Sequence, residues 1–328
     1  MFTRKDFLTG GAALAAAGGI RGALGGTAKP ASAVKKSLST PDVAFNDLQT
    51  VKMLDGGGCV YALSSRIDNI SLSTAFVSPE GKILVVDGGH LDKGADGRFL
   101  GDFLHKLGGH VDYWFITHAH GDHYGALATM SDRKDLHGVT IGELILNFPD
   151  VERLLKCEPG SRPYLTNFCD NVLGNRLKGV KRGECTPGRV VKFGSWSFEI
   201  MNDPFLCDFN AINNSSVMIS VKAGGKTWLE TGDLGVEGGR DAMRKLGSRL
   251  KHDIVFLAHH GQCGVDKAFY ELVAPEAAVW STPTWLWDNN TGGGPGSGQF
   301  RTNYTKCWMQ DLGVRKNYVL AKKDYRFI

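Results

Sequence analysis

Short apolar runs of strand length begin near Val60 and recur to the end of the chain, separated by polar breaks. Residues 71–77 and 82–86 flank Pro79-Glu80-Gly81, so the pair reads as a hairpin. Residues 99–107 carry apolar side chains at helical spacing, and 113–117 (YWFIT) form a compact apolar strand. A helix begins over 127–130 and fades at Asp132, and 139–147 is another strand. Residues 150–188 are irregular and predict a helix plus loops. Further hairpins span 190–193 with 196–201, around Gly194-Ser195, and 216–221 with 227–231, around Gly224-Gly225. Beyond them, 239–250 predicts a helix, 254–258 a buried strand, 267–273 a helix and 277–281 a strand. A glycine-rich loop (292–298), a helix (304–312) and a last strand (318–321) complete the pattern.

No repeat, linker or composition break follows residue 34. Hairpins come first and strand–helix alternation later, within one chain. That order predicts an α/β (α+β) fold of two packed sheets with helices outside, in a single domain over 34–328 with a C-terminal loop that can act as a lid. The many glycines, 43 in all, suit a fold with many tight connections.

Residues 1–33 stand apart. Arg4 and Lys5 precede a weakly apolar Gly/Ala stretch, and Ala31-Ser32-Ala33 offers an A-x-A cleavage site. The run from Thr3 to Leu8 resembles a twin-arginine export signal with Lys5 in the second arginine position. The expectation is an exported protein, periplasmic or extracellular. No apolar run approaches the roughly 20 residues of a membrane helix, so no transmembrane segment is expected in the mature chain.

Charge changes the picture little. The net charge is +4, from 38 basic and 34 acidic residues. Four of those bases and one acid lie in 1–33, which leaves the remainder nearly neutral. A neutral body gives no strong reason to expect long nucleic acid as a partner, and a small-molecule or phosphoester substrate fits better. The local cluster Arg176, Lys178, Lys181 and Arg182 reads as a solvated face. The seven cysteines form no C-x-x-C pair, so a zinc knuckle is not expected, and one or two disulfides could form after export.

The chemistry concentrates in His118-Ala119-His120-Gly121-Asp122-His123, directly after the YWFIT strand. Only ten histidines occur in the chain, and three fall here. Imidazole and carboxylate suit zinc, and also manganese or iron. Side chains two apart on an extended loop point the same way, so His118 and His120 can grip one ion. Asp122 and His123 can face a second ion beside it, and Asp122 is also a candidate catalytic group. Three other strands end in suitable residues. Thr231-Gly232-Asp233 offers a carboxylate able to bridge two ions. Ala258-His259-His260-Gly261 offers two imidazoles, of which His259 is the expected ligand and His260 the expected proton donor or supporting group. Val86-Asp87-Gly88-Gly89-His90 places Asp87 to orient a ligand histidine, and leaves His90 open between a functional and a structural place.

The order DGG, HxHxDH, TGD, HHG resembles the metallo-β-lactamase superfamily over roughly residues 55–285. The resemblance implies a four-layer αββα sandwich with its metal site where strand ends converge. It also implies hydrolysis by a water whose pKa a bound cation lowers from about 15.7 toward 7. Many members place a further histidine between the HxHxDH loop and the bridging aspartate. Here the interval holds only His137, and Asn213-Asn214-Ser215-Ser216 stands before the TGD hairpin. N-x-S with TGD and HHG resembles the branch containing the nuclease domain of the competence DNA-uptake channel and the choline-phosphate esterases, and implies that Asn213 supports the first ion. The expectation is a metal-dependent hydrolase with one or two ions, acting on a phosphodiester. The alternatives are an acyl hydrolase acting on a lactam, lactone or thioester, and a non-catalytic metal-binding protein. Trp285 and Trp287 could stack on substrate from the lid or pack the loop onto the body.

Overall fold

A computed structural model describes residues 39–262 and 264–328. The expected export segment at 1–33 lies outside the described residues. The strands β1 (Gln49–Val51), β2 (Cys59–Ala62), β3 (Ser73–Val77), β4 (Ile83–Asp87), β5 (His110–Phe115), β6 (Thr140–Ile145) and β7 (Lys181–Gly183) belong to one sheet. A second sheet takes β8 (Val190–Phe193), β9 (Trp196–Ile200), β10 (Ile219–Ala223), β11 (Lys226–Glu230), β12 (Ile254–Phe256), β13 (Ala277–Trp280) and β14 (Lys316–Val319). The last strand, β15 (Tyr325–Phe327), returns to the first sheet between β1 and β2.

Alternation within strands decides the layering. Leu84 and Val86 of β4 face between the sheets, where they meet Phe76, Phe115, Trp228, Ile254 and Phe256. Ile83 and Val85 face the other way, onto α1 (Ala95–Lys106) and α2 (Gly121–Met130) through Leu100, Phe103 and Leu127. The second sheet turns Leu229, Val255 and Ala278 outward against further helices, through Ala242, Phe269 and Met309. Because both faces of these strands are buried, their sequences read as continuous apolar runs. The result is the expected αββα sandwich.

The strands β4 to β7 and β11 to β14 run parallel. Their carboxyl ends gather on one edge of the sandwich. Thr117, just past β5, accepts a 2.9 Å hydrogen bond from Val217 N–H, just ahead of β10, which ties the two sheets there. Parallel-strand ends are where connections leave the sheet, so a site can be assembled there without breaking the ladder.

Some elements differ from the sequence reading. Helix α2 begins at Gly121, not near Leu127. Its first turn is filled by Asp122 and His123, which hide the apolar period. Residues 150–188 hold more order than expected: α3 (Val151–Cys157), α4 (Arg162–Asn167), a wide helical stretch over Phe168–Arg176 and the short strand β7. The strand expected at 318–321 is β14 at Lys316–Val319, and a further strand, Tyr325–Phe327, follows it. The six described cysteines are free thiols. Among the described residues, no helix is long and apolar enough to cross a membrane. The basic cluster is largely paired, Arg176 with Asp132 and Lys181 with Glu143.

Candidate metal centre

The site forms where five segments meet: the ends of β4, β5, β11 and β12, and the first turn of α2. Two groups of side chains converge there. His118, His120 and Asp233 form one, and Asp122, His123, Asp233 and His260 form the other, so Asp233 is shared. Asp233 Oδ1 lies 3.2 Å from His123 Nε2, and Asp233 Oδ2 lies 3.4 Å from His260 Nε2 and 3.9 Å from His118 Nε2.

Each imidazole is aimed by what its outer nitrogen touches. Asp87 is fully buried and accepts three hydrogen bonds: from Thr117 N–H at 2.8 Å, from the Thr117 hydroxyl at 2.8 Å, and from His123 Nδ1–H at 2.7 Å. With its hydroxyl proton given to Asp87, Thr117 Oγ1 accepts from His118 Nδ1–H at 3.0 Å. His260 Nδ1–H donates to the Ser281 carbonyl at 3.0 Å. His120 Nε2–H donates to Glu158 Oε2 at 3.1 Å. The inward atoms are therefore Nε2 of His118, His123 and His260 and Nδ1 of His120, all as lone-pair donors when the rings are neutral.

Backbone strain marks the same place. Asp87, His259 and His260 are non-glycine residues at φ of 55°, 51° and 55°. Such conformations cost roughly 1–3 kcal/mol each and persist only where the surroundings over-determine them. Gly261 continues the left-handed run at φ 76°, and a Cβ there would stand 2.5 Å from the Trp280 ring. A Cβ at Gly232 would stand 2.9 Å from Thr117, so glycine lets the chain pass close to the β5 end, where Asp233 is seated.

The electrostatics call for a cation. Burial alone would push His123 down, yet the Asp233, Asp87 and Asp122 carboxylates reverse this and hold it well above the usual imidazole range. Burial likewise opposes a charged His260, but Asp233 and Asp122 push it up to about 9. Burial and the neighbouring His123 charge hold His118 well below its usual range. Without an ion, buried negative charge is balanced by protons on His123 and His260. The balance is incomplete all the same: Asn213 Oδ1 is buried without a hydrogen bond, and His123 Nε2 and Asp233 Oδ1, 3.2 Å apart, face each other without a well-formed one. Buried polar atoms left this way are costly unless something else binds them. A divalent ion coordinated by imidazole and carboxylate supplies the missing partner, so the residues present fit a metal.

The metallo-beta-lactamase superfamily model matches residues 68–259, more than half of the chain. The chain belongs to that superfamily. It is accordingly a metal-dependent hydrolase with the metal-binding site typical of the metallo-β-lactamase fold. ComE operon protein 3 of Bacillus subtilis (strain 168) is 26% identical over 172 residues, which is 52% of this chain and 20% of that protein. This match supports the branch resemblance read from the motif order. The metallo-β-lactamase fold protein YhfI from Bacillus subtilis superposes with a TM-score of 0.50 at 11% identity, over 83% of this chain and 99% of that one, and shares the fold.

Most of the expected site residues meet in this cluster, but the two histidines of HHG exchange places. His260 Nε2 joins Asp122 and Asp233, whereas His259, expected as the ligand, falls outside both groups. His259 Nε2 stands 3.8 Å from Asp233 Oδ2 and 3.4 Å from Asn213 Nδ2, with its side chain 19% exposed at the edge of the site. Asn213 lies in α5 (Ala211–Asn214), and its amide nitrogen also donates to Asn210 Oδ1 at 2.9 Å. His90 lies outside both groups; its ring is 3.3 Å from Asn69, and its N–H donates to Asp96. His137 packs on Gly101 of α1, away from the site. Trp287 packs on Trp280 beneath Lys306, and Trp285 packs against Phe300. Sequence reasoning missed Glu158, Thr117 and the Ser281 carbonyl, none of which belongs to a recognisable motif.

Proposed function

We propose that this protein is a metallo-phosphodiesterase with two cation positions that share Asp233. His118, His120 and Asp233 would hold the first ion, with Asn213 Oδ1 in the place of a third histidine. Asp122, His123, Asp233 and His260 would hold the second. Zinc suits this set best, and manganese or iron also fit. Once bound, the cations supply Lewis acidity to a phosphoryl oxygen and lower the pKa of a water from about 15.7 toward 7.

The chain's own residues do the rest. Asp87, through Thr117 and His123, keeps two imidazoles in one tautomer each. The Ser281 carbonyl does the same for His260. His259 sits outside the ligand groups at a more open edge, so its imidazole is the candidate to give a proton to the leaving oxygen. The observation that carries the reading is the sharing of Asp233 between two ligand groups, one of which lacks a third histidine. Such paired positions suit in-line displacement at phosphorus. The match to ComE operon protein 3 supports the same branch. The substrate would be a small phosphoester or an envelope component, encountered after export directed by residues 1–33.

Hydrolysis of bis-p-nitrophenyl phosphate tests this, run beside a chromogenic lactam, a lactone and a thioester. Turnover confined to the phosphodiester is the expected result. Turnover confined to an acyl substrate replaces the proposal with the acyl-hydrolase reading.

A further inference from the structure

Glu158 is the first residue beyond α3, in the stretch between β6 and β8 that carries no recognisable motif. Its carboxylate reaches the centre from outside both ligand groups. Oε2 accepts the Nε2–H of His120 at 3.1 Å, and Oε1 accepts the Ile212 N–H of α5 at 2.9 Å. The side chain is three-quarters covered, which strengthens both bonds relative to an exposed pair. One carboxylate thus joins two segments that contribute to the first cation position. The first contact turns His120 Nδ1 inward, 3.1 Å from His118 Nε2. The second holds the start of α5, which presents Asn213. Asn213 spends its amide nitrogen on Asn210 and leaves Oδ1 buried and unpartnered.

The first group is the poorer in strong ligands. It has two imidazoles and a shared carboxylate, and an amide oxygen binds a metal weakly. A weak ligand contributes only if its position is already fixed before the ion arrives. A carboxylate with two acceptor oxygens can fix an imidazole and a helix start together.

We infer that Glu158 is the positioning residue of the first cation position, holding His120 Nδ1 and the Asn213 segment in register at once. This rests on the ligand assignment proposed above.

Glu158→Gln tests it in the full chain. Glutamine keeps the length of the side chain, but its amide nitrogen cannot accept, so one of the two bonds is lost. Ion affinities are read by competition with a chromogenic chelator, and the first ion is identified as the one that His118→Ala removes. That ion should bind about 10- to 100-fold more weakly in Glu158→Gln. The ion lost in His260→Ala should keep its affinity. Nitrogen NMR of the metal-free protein, recorded at a pH high enough for a neutral ring, should show His120 as the pure Nε2–H tautomer in the wild type and as a mixture in the variant. Glu158→Asp, which retains the charge but falls short of both partners, should show the same pattern and serves if Glu158→Gln does not fold. Unchanged affinity for the first ion with an unchanged tautomer overturns the inference alone. If no ion responds to His118→Ala, the ligand assignment falls, and the inference falls with it.

Discussion

His260 Nε2 and Asp122 Oδ2 stand 3.0 Å apart although 138 residues separate them in sequence. Asp122 lies in the first turn of α2 on one sheet, and His260 follows β12 of the other. The contact therefore spans the sandwich edge. It also separates the neighbouring histidines: the left-handed backbone at His259 and His260 sends their rings in different directions, and His260 is the one brought to Asp122. His260→Ala should remove one ion per chain, with activity falling by more than two orders of magnitude. His259→Ala should keep both ions and lose about 10²–10⁴ in kcat, as expected for a lost proton donor. Metal content and kcat of the two variants check this, and the reverse pattern would restore His259 as the ligand.

Asp87 gives a second prediction. Asp87→Ala strands three buried donors and removes one of the three carboxylates that hold the charge on His123. Breaking a buried pair in this way costs about 3–5 kcal/mol. Asp87→Asn should be milder but still weaken metal binding about 10- to 100-fold, since one of its two heads can no longer accept. Denaturant melts and chelator competition separate the two effects.

The raised pKa of His260 predicts how stability follows pH. In metal-free protein its folded value is pushed up to about 9, above its ordinary 6.5. The charged ring therefore adds stability that is fully present below about 6.5 and is lost as pH rises through about 9. Ion binding must expel that proton, so metal affinity should climb over the same window. Urea midpoints of chelator-treated protein should fall between pH 6.5 and 9.5, while those of loaded protein stay level or rise. A flat profile in the metal-free protein would show that the ring is already neutral.

Gly261→Ala should cost roughly 1–2 kcal/mol from its left-handed backbone and about 1–3 kcal/mol more from the clash with Trp280. Because the strain falls next to His260, loss of the second ion should accompany the lower melting temperature. Loss of stability with both ions retained would mean that His260 does not depend on this turn.

Much of this was legible in the sequence, for physical reasons that also mark where legibility ends. Strands buried on both faces, such as 83–87 and 254–256, betray themselves by unbroken apolar runs. Tyr325-Arg326-Phe327 is too short and mixed to do so. The HxHxDH loop announces the centre because its ligands are adjacent in sequence. Glu158, far from His120 along the chain, has no such signal. The HHG pair was harder to read for a backbone reason: strand direction points to His259, but β12 ends at Phe256, the chain then turns left-handed, and His260 is the one that joins Asp122 and Asp233. The start of α2 was hidden by the residues that give the site its chemistry.

The most direct test is titration of chelator-treated protein with zinc or manganese while bis-p-nitrophenyl phosphate hydrolysis is followed, beside a His118→Ala/His120→Ala variant. Turnover should rise with ion occupancy in the wild type and be absent from the variant at every metal concentration. Full occupancy without turnover, or equal turnover by the variant, would contradict it.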